Sequence, residues 1–208
     1  MMKDYIKFIL LVMIAMLFHK STLAVIPIYI LSGIKWKKWA LPAVTAFSLT
    51  GLIFKSQYMA LFLRLYPSYL EEEEYINAGG LSIPNIIRCF IVLCVCIYFY
   101  KDAIKDNDEN RFYFYLNYAG FLAYTFFYFI PFVSRIGYYM NICHILMFPS
   151  MIKCIKEKKK KYFTIGVYVV GAAYFLWFLW FKAMDAEIKI LPYHTWIFDD
   201  VVFDALDK

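Results

Sequence analysis

Apolar residues fall along the chain in seven blocks, near 5–18, 23–34, 40–55, 83–100, 112–132, 136–152 and 162–181, each closed off by charged or polar residues. Blocks that approach roughly 20 apolar residues match the thickness of a bilayer's hydrocarbon core and predict membrane-crossing helices. None shows the strict alternation of a lipid-facing β-barrel strand. The predicted fold is therefore all-α: a polytopic transmembrane helical bundle of about seven segments, in a single integral-membrane domain over 1–208. The first two blocks are short and are separated by His19-Lys20-Ser21. That break predicts either a tight hairpin or one broken, re-entrant helix. Pro27, inside the second block, is expected to kink its helix and free a carbonyl.

Composition strengthens the membrane reading: 63% of the 208 residues are hydrophobic and 22% aromatic, against about half apolar in a soluble domain. The formal net charge is +6, but the lysines concentrate in short loops rather than in a stripe with interleaved polar readers. This pattern argues against nucleic-acid binding and for cytoplasmic loops. The loop 153–161, with six lysines, is the anchor. Working outward from it puts 101–111 and 35–38 on the same cytoplasmic face. His19, the 67–81 loop with Glu71–Glu74, Arg135 and the tail after Ala183 then lie outside. The expected location is multi-pass in the cytoplasmic (inner) membrane. Cys94 and Cys96 lie in an apolar run with no His or carboxylate beside them, so they are expected to be buried small hydrophobes.

Arg135 is the residue least at home in its surroundings. A guanidinium stays protonated in a protein, and placing one near bilayer depth costs about 2.5–3.5 kcal/mol or more. Tyr138 and Tyr139 follow one helical turn later, on a shared face. Two readings stay open: an anion clamp with Arg bidentate to phosphate oxygens, or an interfacial Arg that snorkels beside an aromatic belt. His194, with Tyr193, follows Pro192 after the last block and is either a general base near neutral pH or an ordinary interfacial His. His19, Lys20 and Ser21 place an imidazole, a cation and a hydroxyl at a break. Lys55, Arg64 and Tyr66 flank an amphipathic stretch able to touch a polar head group, and Arg88 is a second cation inside an apolar run. His144, in mid-block, is expected to be a packed or hydrogen-bonded core residue. Consecutive carboxylates diverge, so Glu71–Glu74 reads as a solvated loop rather than a calcium site. No P-loop, dinucleotide fingerprint or zinc spacing is present, so no metal or cofactor is expected.

Three segments in order resemble the EpsG family of exopolysaccharide proteins. Met16-Leu-Phe-His-Lys-Ser-Thr-Leu-Ala-Val-Ile-Pro-Ile-Tyr29 is similar to its "FH-x-S … Pro" segment, Phe132-Val-Ser-Arg-Ile-Gly-Tyr-Tyr-Met-Asn141 to "x-R-I-x-x-Y", and Ile190-Leu-Pro-Tyr-His194 to its terminal "L-P-Y". The family resembles Wzy-type polysaccharide polymerases, and typical members carry further helices before the first motif. The chain is thus expected to correspond to the C-terminal part of a longer polymerase fold. The resemblance implies polymerisation of polyprenyl-pyrophosphate-linked oligosaccharide units at the outer face of the membrane, in exopolysaccharide or capsule synthesis, alongside other polysaccharide-assembly proteins. It casts Arg135, His194 and His19 as catalytic, and Tyr138, Tyr139, Tyr193, Lys20 and Arg64 as substrate-binding, with no metal. Two other classes remain open: a membrane acyltransferase or ligase acting on surface glycans, which needs an outward His with a carboxylate, and a non-catalytic export subunit, which inverted repeats would favour.

Overall fold

The computed structural model describes residues 5–18, 20–37, 39–65, 80–130 and 133–181, apart from the side chains of Lys20, Ser21, Leu65, Ser134 and Arg135. Every regular element among them is helical. In order they are α1 (Tyr5–Met16), a 3-10 turn (Lys20–Ala24), α2 (Val25–Ser32), α3 (Ala40–Ile53), α4 (Lys55–Leu65), α5 (Ile83–Tyr98), a π-helical turn (Tyr100–Ile104), α6 (Asp108–Phe126), α7 (Val133–Asn141), α8 (Cys143–Cys154) and α9 (Glu157–Phe181). They fall into two compact units, Met1–Lys156 and Glu157–Lys208.

In the first unit, α6 is the central helix. Asn107 caps it by accepting the Asn110 N–H at 2.9 Å, and Asp108 and Glu109 in the first turn complement the helix dipole. The helix therefore begins before the apolar block expected at 112. All six residues from Phe112 to Asn117 are buried, which a helix achieves only when neighbours surround it. Those neighbours are α2, α3, α5, α7 and α8. At α3 the approach is close: a Cβ on Gly51 would lie 2.6 Å from the Phe126 carbonyl oxygen and 2.9 Å from its Cα. Tyr118 adds a hydrogen bond to the Leu41 carbonyl at 2.6 Å.

The turn at Leu17 and Phe18, before the 3-10 turn, produces a hairpin. Tyr29 of α2 stacks on Phe8 of α1 at 3.7 Å between ring centroids and meets Tyr5 edge-on at 5.9 Å. The start of α1 thus lies against the far part of α2, as in antiparallel helices. Tyr29 then joins the pair to α6 through Phe112, at 4.9 Å. Pro27 lies in α2, just after the 3-10 turn. It falls in the helix's first turn, where a backbone N–H has no intrahelical partner to lose.

The basic loops gather at one end. Lys35 pairs with Asp108 at 3.8 Å and Lys156 with Asp102 at 3.7 Å. Asn107 and Asn110 both donate to the Cys154 sulfur, at 3.4 and 3.7 Å. The loops 35–38, 101–111 and the start of 153–161 therefore share one face, as their charge predicts. The arrangement of polarity is inverted relative to a soluble domain. Asn110, Asn117 and Asn141 are buried, while Ile6, Leu10, Phe47, Ile53, Phe90, Ile91 and Ile97 are exposed.

The expectation of about seven spans is only partly met. Among the described residues one helix, α9, is long and apolar enough to cross a membrane alone. At 25 residues it extends about 37 Å at 1.5 Å per residue, against about 30 Å of hydrocarbon. Lys160 and Glu157 pair in its first turn at 2.8 Å. Helices α3 and α4 pass the same test only together, bent by 88° at Phe54. Helices α1, α2 and α5 are apolar but too short to pass this test, and the block 136–152 is interrupted at Ile142.

Cys96 is buried but Cys94 is exposed, correcting the expectation for the latter. Residues two positions apart on a helix point to nearly opposite sides, and the inward stripe of α5 is Cys89, Val92, Leu93 and Cys96.

Candidate functional site

Away from the basic loops, two of the sequence motifs come together. The 3-10 turn Lys20–Ala24, at the hairpin tip, packs against α7, the short helix that carries Arg135. Both lie toward the C-terminal half of α6, since α6 runs away from the basic end at Asp108. Helix α7 is seated by Gly137. A Cβ there would overlap the Tyr124 ring and hydroxyl, so only glycine lets α7 approach α6 this closely.

The candidate residues distribute as follows. Arg135 lies on α7, its side chain outside the described part of the structure; Lys20 lies in the turn with the same qualification. Tyr138 is 57% exposed and Tyr139 half-buried, so the two tyrosines do not present one common surface. Adjacent positions on a helix differ by about 100°. Arg64 is exposed in the last turn of α4. His19, Tyr193 and His194 lie outside the described residues, as do Tyr66 and Glu71–Glu74.

Beneath α7 runs a buried polar seam that joins four helices. Asn117 of α6 donates through Nδ2 to the Cys89 carbonyl at 3.1 Å. Its Oδ1 is therefore an acceptor, and His144 Nε2 lies 2.7 Å from it. That arrangement assigns the proton to Nε2, making His144 a hydrogen-bonded core residue as its mid-block position suggests. Asn141 at the end of α7 accepts from the Cys89 thiol at 3.3 Å and donates to the Tyr124 hydroxyl at 3.3 Å. At the margin of the seam stands Arg88. Its Nη2 donates to Asn85 Oδ1 at 2.7 Å, and Asn85 in turn donates to Ser82 Oγ at 2.7 Å.

Arg88 is legible in the sequence as a cation within an apolar run. Asn117, Asn141 and Tyr124 are not singled out by any motif. The available signal is weaker: an Asn inside an otherwise apolar block must find partners within the protein. The chemistry that this region offers is recognition of an anion or of sugar hydroxyls, by guanidinium, amide and phenol donors.

The model of the EpsG family matches residues 1–195. No curated protein and no solved structure matches the chain.

Proposed function

The chain belongs to the EpsG family, which implies a membrane protein with a polysaccharide-polymerase-like role, and from that premise we propose that it joins polyprenyl-pyrophosphate-linked oligosaccharide units at the outer face of the cytoplasmic membrane. In this reading a sugar hydroxyl on one lipid-linked unit attacks the anomeric carbon of another and expels the lipid pyrophosphate. Arg135 balances the charge that grows on the departing diphosphate, as a fixed donor does for any developing oxyanion. Tyr138 or Tyr139 orients that group, and Lys20 and Arg64 add contacts to head groups. His194 or His19 takes the acceptor's proton, for which a base near neutral pKa suits. The seven apolar blocks form a multi-pass assembly in this reading, with the shorter helices combining across their breaks.

The observation that carries the proposal is the seating of the Lys20–Ala24 turn against α7, the helix that includes Arg135. That contact lies away from the Lys-rich face. The test is a strain lacking the gene, complemented with Arg135→Lys. Polymer should be lost or much shortened, lipid-linked oligosaccharide should accumulate, and membrane insertion should be intact. Parental polymer lengths in that strain would remove Arg135 from the mechanism. A deletion strain with no accumulated lipid-linked repeat unit would point instead to export.

A further inference from the structure

Arg88 is the one described guanidinium whose buried donor lacks a partner. Its Nε is sealed from solvent with no hydrogen bond, Nη2 donates to the neutral Asn85, and no carboxylate pairs with it among the described residues. A partly buried charge without a counter-ion is destabilising, and arginine cannot discard its proton to escape that cost. The groups within reach of its field, Tyr124, Cys89 and His144, supply no formal negative charge. The Tyr124 hydroxyl accepts from Asn141. Among the described residues, then, no anion faces this guanidinium.

The residue is only half-buried. It stands near the start of α5, and its neighbour Tyr124 is near the end of α6, so both lie away from the basic loops. Its holder is built: the i, i+3 ladder Ser82–Asn85–Arg88 fixes the guanidinium plane. Bidentate recognition of phosphate oxygens requires a plane held in this way.

We infer that Arg88, oriented by Asn85, binds the diphosphate head group of an isoprenoid-linked glycan. This rests on the polymerase reading, in which two lipid-linked substrates meet and each brings a diphosphate. Arg88 provides a binding position for one of them besides the position assigned to Arg135.

The test uses the full chain in lipid nanodiscs, with farnesyl pyrophosphate and inorganic pyrophosphate as probes. Arg88→Gln should weaken farnesyl pyrophosphate binding at least about tenfold, the effect of losing a charge-assisted contact. Farnesyl pyrophosphate should also bind more tightly than inorganic pyrophosphate; equal affinities would overturn the lipid assignment. Should Arg88→Gln fail to fold, the parent protein serves instead. An arginine-specific dicarbonyl reagent, followed by peptide mass spectrometry, should modify Arg88 less when farnesyl pyrophosphate is present. Unchanged binding in Arg88→Gln, or no protection in the parent, overturns the inference. If Arg135→Gln abolishes binding while Arg88→Gln does not, the inference fails and the polymerase reading stands. If neither substitution alters binding, both fail.

Discussion

Substituting Gly137 by Ala isolates the contact that seats α7 on α6. The new methyl would overlap the Tyr124 ring, and Tyr124 is 1% exposed with Asn141 bonded to its hydroxyl. The ring therefore has no open direction in which to swing. Overpacking a filled site costs about 1–3 kcal/mol, and separating Tyr124 from Asn141 removes about 0.5–1.5 kcal/mol more. Replacing Gly by Ala inside a helix returns about 1 kcal/mol, leaving a net loss of roughly 0.5–3.5 kcal/mol. Thermal unfolding of the detergent-purified chain should register this as a fall of several degrees, at about 2–4 °C per kcal/mol for a chain this long. Gly166→Ala and Gly171→Ala serve as controls. A Cβ at either position meets nothing within 4 Å, so the propensity gain should stand alone. In a double-mutant cycle with Tyr124→Ala, the added methyl should cost little, because the ring it would strike is gone. A Gly137→Ala protein as stable as its parent, or one whose loss persists in the Tyr124→Ala background, would refute the packing described for α6 and α7.

Other outcomes follow from the same geometry. Asn107→Ala removes the cap of α6 and should cost about 1 kcal/mol in equilibrium unfolding. Asn117→Leu leaves His144 and the Cys89 carbonyl without their partner, at about 1–3 kcal/mol; adding His144→Leu should recover part of that loss, whereas strict additivity would show that the two side chains do not interact. Cys substituted at Lys35 and at Asp108 should join through a short bifunctional reagent in intact membranes, given the 3.8 Å ion pair between the native side chains. Cys labels at Glu72 and Lys159 should react from opposite faces; reaction from the same face would overturn the topology drawn from loop charge.

The helical class and the common face of the basic loops are legible from hydropathy and lysine placement, because both are properties of short contiguous windows. The hairpin is legible from the polar break at His19-Lys20-Ser21. Helix limits are less so. The cap at Asn107 starts α6 before the apolar block, and the bend at Phe54 interrupts a run that composition treats as continuous. In the candidate site, Arg88 and His144 stand out as single polar residues in apolar runs. The Asn117–His144 and Asn141–Tyr124 bonds span 27 and 17 positions, and no local pattern encodes a pairing at such separation. The glycine at 137 carries the same lesson. Its role depends wholly on a ring from another helix.

Helix α6 also has a bearing on how the chain enters a bilayer. Its first turn carries Asp108, Glu109 and Arg111, and Asn117 lies in the middle of its length. Left alone in hydrocarbon, the Asn117 amide would have to shed water with nothing to replace it, whereas the first turn stays at the face of the basic loops. The insertion machinery therefore gains little from releasing this segment early. It becomes a stable resident only once α2, α3 and α5 on one hand, and α7 and α8 on the other, have closed round it. Shortened versions that lack either group should remain at the membrane surface or fall to quality-control proteases, however apolar their other helices are.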